Sequence, residues 1–193
     1  MMNPHSVAVL VGSLRKDGYS HRLATALMRA APETLTCRIV GIGDLPLYNE
    51  DLANTPPLAW EVFRQAIKST SALLVVTPEY NRSFPAALKN ALDVGSRPYG
   101  QNVFDGMPSA VVSHSPGALG GFGANHAVRQ TFVPLNMPTL QQPEAYISNV
   151  SALFDDDGTL IDAATGTFLA GFMTAFGRWT AQNTLKDRTR IAS

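Results

Sequence analysis

Val7-Ala8-Val9-Leu10-Val11-Gly12-Ser13-Leu14-Arg15 passes from an unbroken apolar run into a loop of small, hydroxyl-bearing and basic residues, and a helical pattern begins near Ser20. An apolar run without polar alternation reads as a central parallel strand buried on both faces. The loop therefore joins the carboxyl end of a strand to the start of a helix. Backbone N–H groups are unpaired there and the helix end is positive, which suits an anion, most naturally a phosphate. Ser13 offers a hydroxyl, Arg15 a charge-assisted bond, and Ser20 stands where an N-cap would stand. A Walker loop would end in Gly-Lys-Ser/Thr, which is missing, and a dinucleotide fingerprint would need other residues than Leu14 and Asp17. An ordinary turn with a solvated arginine is the plain alternative.

Outward from this stretch, strand and helix patterns alternate. Apolar residues recur at helical spacing from Ser20 to about Ala31, where Pro32 ends them. Strands are predicted at Thr36–Ile42, Ala72–Val76 and Ser109–Ser113, and a last one within Thr139–Ile147, interrupted at Pro143. Helices are predicted around Ala59–Ile67, from Pro85, from about Ala124, and from about Asp162 to Asn183. The last carries Phe168, Phe172, Phe176 and Trp179, a stripe that reads as core or as subunit contact. Five strands alternating with five helices define an α/β chain with a parallel sheet covered on both faces. Ligands bind such sheets at the carboxyl ends of the strands, where the strand order switches.

Composition narrows the partners. The 193 residues suit one domain, taken as residues 1–193, with a core that needs no disulfide. Lysine plus arginine and aspartate plus glutamate number 15 each, so the net charge is zero, which argues against nucleic acid. It argues more weakly against an acidic electron carrier. The lone cysteine, Cys37, leaves no internal disulfide and reads as an inert thiol. Met1-Met2-Asn3-Pro4-His5 has no basic leader, and no apolar stretch reaches the roughly 18 residues of a membrane span. The expectation is a cytoplasmic protein with no membrane partner.

Two further loops carry unusual sequence. After the third strand comes Thr77-Pro78-Glu79-Tyr80-Asn81-Arg82-Ser83-Phe84-Pro85, in which Tyr80 has an apolar face and a polar tip and Asn81 both donates and accepts. Glu79 reads as a solvated loop charge rather than a general base. After the fourth comes Ser113-His114-Ser115-Pro116-Gly117-Ala118-Leu119-Gly120-Gly121, whose glycines let backbone approach a ligand. His114 reads as a loop donor or as simply exposed, and a hydrolase elbow, Gly-x-Ser-x-Gly, is missing. The histidines lack metal-ligand spacing, and Asp155-Asp156-Asp157 lacks the pattern of a calcium loop.

These three loops, with Ser83-Phe84-Pro85-Ala86-Ala87-Leu88-Lys89-Asn90-Ala91-Leu92-Asp93, resemble the NADPH-dependent FMN reductase family, and within it the chromate and quinone reductase branch. The match runs over roughly residues 7 to 147, in order and in register. It implies a three-layer flavodoxin-like fold, a five-stranded parallel sheet in the order 2-1-3-4-5, and noncovalent FMN. It implies that Ser13, Arg15 and Ser20 hold the FMN phosphate. Pro78, Glu79, Tyr80 and Asn81 would surround the isoalloxazine, with Ser113, Ser115 and Gly117 near its other edge. No side chain is assigned as catalytic. NADPH or NADH would give hydride to the flavin, and a quinone, chromate, azo dye or free flavin would take the electrons.

The family loop usually has a serine where this chain has Gly18, so one phosphate hydroxyl is missing. The aromatic stripe and the Phe84–Asp93 helix give more apolar surface than one five-stranded sheet needs, which leads to the expectation of a homodimer or homotetramer. A non-enzymatic flavodoxin-type carrier and a ligand-sensing module of the same fold are the rivals. Replacing Arg15 with alanine is expected to cost about 1.5–3 kcal/mol of FMN affinity. Titration of apoprotein with FMN and with riboflavin, which lacks the phosphate, checks this: only FMN binding should weaken.

Overall fold

The computed structural model describes residues 3–190 in backbone course and 3–184 in side-chain surroundings; Met1 and Met2, part of the leader reading, lie outside it. Its strands are β1 (His5–Val11), β2 (Leu35–Ile39), β3 (Ala72–Pro78), β4 (Ser109–His114) and β5 (Ala145–Ile147). Its helices are α1 (Tyr19–Arg29), α2 (Leu58–Lys68), α3 (Ala86–Ser96), α4 (Phe122–Phe132) and α5 (Ala163–Arg190). All strand pairs are parallel, in the order β2-β1-β3-β4-β5. The implied flavodoxin-like sheet is therefore present.

Alternation along the strands sorts the core into two layers. Val7, Val9 and Val11 pack with Leu23, Ala24 and Leu27 of α1 and with Leu169, Phe172, Met173 and Phe176 of α5. Ala8 and Leu10 point the other way, to Trp60, Phe63 and Ile67 of α2, Leu88 and Leu92 of α3, and Val128 and Phe132 of α4. A strand sandwiched like this has no wet face. That is why β1 and β3 are continuous apolar runs rather than alternating ones.

Several predicted boundaries move, each for a local reason. β2 ends at Ile39 rather than Ile42, because Val40 and Ile42 turn into the α2 layer after the Val40 N–H reaches the Val9 carbonyl at 3.0 Å. The last strand splits as Pro143 predicts: Thr139 bridges Ser109, the proline lacks an N–H for the ladder, and pairing resumes at Ala145. α4 begins at Phe122 and ends at Phe132, so Leu135 lies outside it. The aromatic stripe of α5 closes the core of its own chain. Phe172 and Phe176 are fully buried there, with Phe168 and Trp179 partly buried beside them. Leu88, Ala91 and Leu92 of α3 are buried too. Among the described residues, these aromatic and aliphatic side chains are thus turned into the chain's own core.

Gly95, inside α3, marks a close approach between layers. A Cβ at this position would overlap the ring of Phe104, itself fully buried, and would also meet Val103. Helix propensity alone favours alanine over glycine by about 1 kcal/mol. Overpacking a core costs about 1–3 kcal/mol, so packing is the larger effect. Gly95→Ala is expected to lower the urea midpoint of unfolding, against the propensity trend; a rise would show that this contact yields easily.

Candidate functional site: three loops at the carboxyl edge of the sheet

The chain leaves β1 toward β2 on one side and returns to β3 on the other, so a crevice opens between the loops after β1 and β3. Val11 pairs with Val76, and Pro78 with His114, which sets the loops after β1, β3 and β4 side by side. The expected site residues thus converge on one edge, although they lie as far as 104 positions apart, from Ser13 to Gly117.

The first loop, residues 12–18, is held at its base. Gly12 N–H donates to the Val76 carbonyl at 2.8 Å, and the Ser13 hydroxyl accepts the Arg15 N–H at 3.3 Å. Leu14, Arg15, Lys16 and Asp17 are exposed. The N-cap of α1 is Gly18, not Ser20, and it has no side chain to cap with. Among the described residues, the amides of Leu14, Lys16, Asp17, Tyr19 and Ser20 have no acceptor. An uncapped positive helix end with several free donors and an exposed arginine beside it fits a phosphate.

α4 gives the contrast. It too opens on a glycine, Gly121, held at φ 75° with no capping side chain of its own. Here a cap arrives from another loop: Glu79 Oε2 accepts the Ala124 N–H at 3.1 Å. Its other oxygen accepts from Arg82 Nη1 at 2.8 Å, and the carboxylate side chain is only 10% exposed. The reading of Glu79 as a solvated charge is therefore corrected: it stitches the second loop to α4. Of these two glycine-started helices, one is closed by a carboxylate and the other is left open.

The second loop is a tight turn. Tyr80 and Ser83 exchange both backbone bonds, at 2.8 and 3.0 Å, and Asn81 and Arg82 sit at φ 51° and 64°. Left-handed backbone at both central positions is the type I′ turn, and it holds Tyr80 out at 52% exposure. Pro78 is buried at the end of β3. In the third loop, the Ser115 hydroxyl donates to the Gly117 carbonyl at 3.0 Å, and residues 116–119 are exposed. Ser113 is fully buried; it donates to the Gly120 carbonyl at 2.8 Å and accepts from Asn125 Nδ2 at 3.2 Å. Its hydroxyl thus braces the loop from beneath.

Ser20 and His114 form a pair that sequence reading missed. His114 is 4% exposed and ends a strand rather than standing out on the loop, because it continues the inward series Ala110, Val112 on β4. Its Nε2 lies 2.7 Å from Ser20 Oγ, and its Nδ1 is buried with no partner among the described residues. Burial lowers the imidazole pKa to about 4. A separation of 94 positions hides this contact from any local pattern. Phe122, His126 and Tyr146 form a second unforeseen group at the rim, with His126 Nε2 3.0 Å from the Tyr146 hydroxyl.

A parallel sheet with ligand loops at its topological switch is the architecture of flavin-binding α/β proteins of the flavodoxin-like class. The chain belongs to one family within that class: the model of the NADPH-dependent FMN reductase family matches residues 5–152. A quinone reductase of Pseudomonas putida is 58% identical over 95% of this chain and 98% of its own length. A 2-hydroxy-1,4-benzoquinone reductase of a Burkholderia species is 41% identical over 90% and 94%. Among solved structures, the flavoenzyme NAD(P)H:acceptor oxidoreductase FerB of Paracoccus denitrificans superposes with a TM-score of 0.87 at 40% identity, covering 93% of this chain and 98% of that one. The chain is therefore an FMN-dependent NAD(P)H oxidoreductase rather than a carrier or a sensor.

The neutral, buried state of His114 has a pH consequence. The unfolded chain protonates this imidazole below about pH 6.5, whereas the folded chain refuses the proton down to about pH 4. More protons bound when unfolded means stability that falls as pH drops through that window, by up to about 1.4 kcal/mol per pH unit. Urea unfolding at several pH values should show the decline, and His114→Gln should flatten it. An unchanged slope in the variant would show that His114 is not the group refusing the proton.

Proposed function

We propose that this protein reduces quinones to hydroquinones with electrons from NAD(P)H. The open, glycine-started end of α1 at the switch point carries the reading, supported by the two relatives named for quinone reduction. When bound, FMN would supply hydride transfer between NAD(P)H and the quinone, the hydroquinone's remaining proton coming from solvent. The chain's own groups bind and orient. Ser13, Arg15, Ser20 and the free amides around them hold the phosphate. Backbone groups of Pro78, Glu79, Tyr80 and Asn81, with Ser115 and Gly117, bracket the ring system. Ser113 fixes the glycine loop and touches no ligand through its hydroxyl. The Glu79–Ala124 bond keeps the second loop and α4 together, so the crevice is preorganised.

The rim favours a planar, apolar acceptor over an oxyanion. Tyr80, Leu119 and Phe122 are each more than half exposed beside the crevice, and Arg82, the basic group next to Tyr80, is paired with Glu79. Chromate, azo dyes and free flavin are secondary acceptors in this reading. The protein works in the cytoplasm, and among the described residues no helix is long and apolar enough to cross a membrane. Assembly as a homodimer or homotetramer draws on two exposed apolar side chains, Phe122 at the start of α4 and Val133 just past its end.

Nicotinamide and acceptor would use the same opening in turn. Initial rates at several benzoquinone concentrations are therefore expected to give parallel double-reciprocal lines, with turnover on quinone well above that on chromate. Intersecting lines would mean that both substrates are held at once, and faster chromate turnover would overturn the assignment of acceptor.

A further inference from the structure

The Ser20–His114 pair carries one donor proton too many. A neutral imidazole has one N–H and the serine hydroxyl has one O–H, but a single hydrogen bond of 2.7 Å joins them. Both residues are buried, and among the described residues Ser20 Oγ has no other partner and His114 Nδ1 has none at all. If the ring proton sits on Nδ1, a buried N–H is orphaned, which native structures seldom tolerate. If it sits on Nε2, that N–H donates to Ser20 Oγ and Nδ1 keeps only a bare lone pair. The unspent donor is then the Ser20 hydroxyl, at the second residue of α1, beside the open amides of Tyr19 and its own backbone. An anion seated at that helix end is the acceptor that completes the set.

We propose that His114 is a positioning residue for the cofactor phosphate, holding Ser20 Oγ through Nε2–H so that the serine proton is given to a phosphate oxygen. This rests on the FMN reading above. It also bears on Gly18, the N-cap, which has no hydroxyl to offer: a hydroxyl two positions later, oriented from β4, serves the same anion. A protonated imidazole beside a phosphate would supply charge; a neutral one supplies direction, since a hydroxyl that accepts from Nε2–H has its proton free to give.

The test compares FMN with riboflavin on the full chain. Wild type should bind FMN more tightly than riboflavin. His114→Leu, which removes the donor, should weaken FMN about tenfold, the loss of a hydrogen bond to a charged group, and leave riboflavin unchanged. His114→Gln, whose amide N–H reaches as Nε2–H does, should recover most of the loss. In a Ser20→Ala background His114→Leu should cost nothing further. Equal weakening of both ligands, or a full loss persisting in Ser20→Ala, would overturn the proposal while leaving the FMN reading intact. A wild type that binds the two flavins alike would sink both. Should His114→Leu fail to fold, ring-nitrogen NMR of the wild-type FMN complex decides: the proton is expected on Nε2, and a proton on Nδ1 contradicts the proposal.

Discussion

The first turn of α1 has no cap, and the organisation of the site follows from that. Helix starts leave several N–H groups without partners, and most proteins satisfy one or two with a side chain at the N-cap. Here the position is Gly18, whose backbone is in the ordinary extended region at φ −78°, so no left-handed geometry demands a glycine. A Cβ there would press to 3.1 Å from the Arg15 carbonyl, so the loop curls too tightly to admit a side chain without giving way. The same chain shows the alternative at α4, where Glu79 closes a glycine-started helix from another loop. The protein's own carboxylate closes one helix end, and the other, which we propose for the phosphate, is left open.

The rest of the fold holds that open end in place. β1 delivers the loop from a layer buried on both sides, and Gly12 is tied to β3 through Val76. His114 ties α1 to β4, whose next residues are the glycine loop, so the loops after β1 and β4 share one buried contact. Ser113 and Asn125 then tie that loop to α4. Each of these bonds sets where the backbone of the loops at this edge lies. Binding of this kind needs little rearrangement, which is how preorganised sites save ordering entropy.

Much of this was legible in the sequence because it is local. Continuous apolar strands, the Pro143 break, the proline start of α3 and the order of loops are patterns within ten or so residues, and each reappears in the structure. What was not legible is pairing across the sheet. Ser20 read as a cap because serines before helical patterns usually are; only the fold reveals that it faces β4. Glu79 read as solvated because nothing nearby in sequence needs a carboxylate; its partner is the amide of Ala124, 45 positions on. The α5 aromatics announced burial correctly, but hydrophobic spacing is silent on whether the covering surface is the chain's own sheet or a second subunit. Ser113 was placed near the ligand by resemblance; the structure shows its hydroxyl turned inward to the Gly120 carbonyl, a bond between residues seven apart that no local pattern announces.

The central claim is that the uncapped start of α1 receives a phosphate dianion. Phosphorus NMR of FMN in the presence of the protein tests it directly. Free donors and Arg15 around the group should hold it in the doubly charged form, so its resonance is expected to stay at the dianion position as the pH is lowered past the point where free FMN takes up a proton. A bound flavin whose phosphate titrates as it does in free solution would place that group in water, and the account of the site would be wrong.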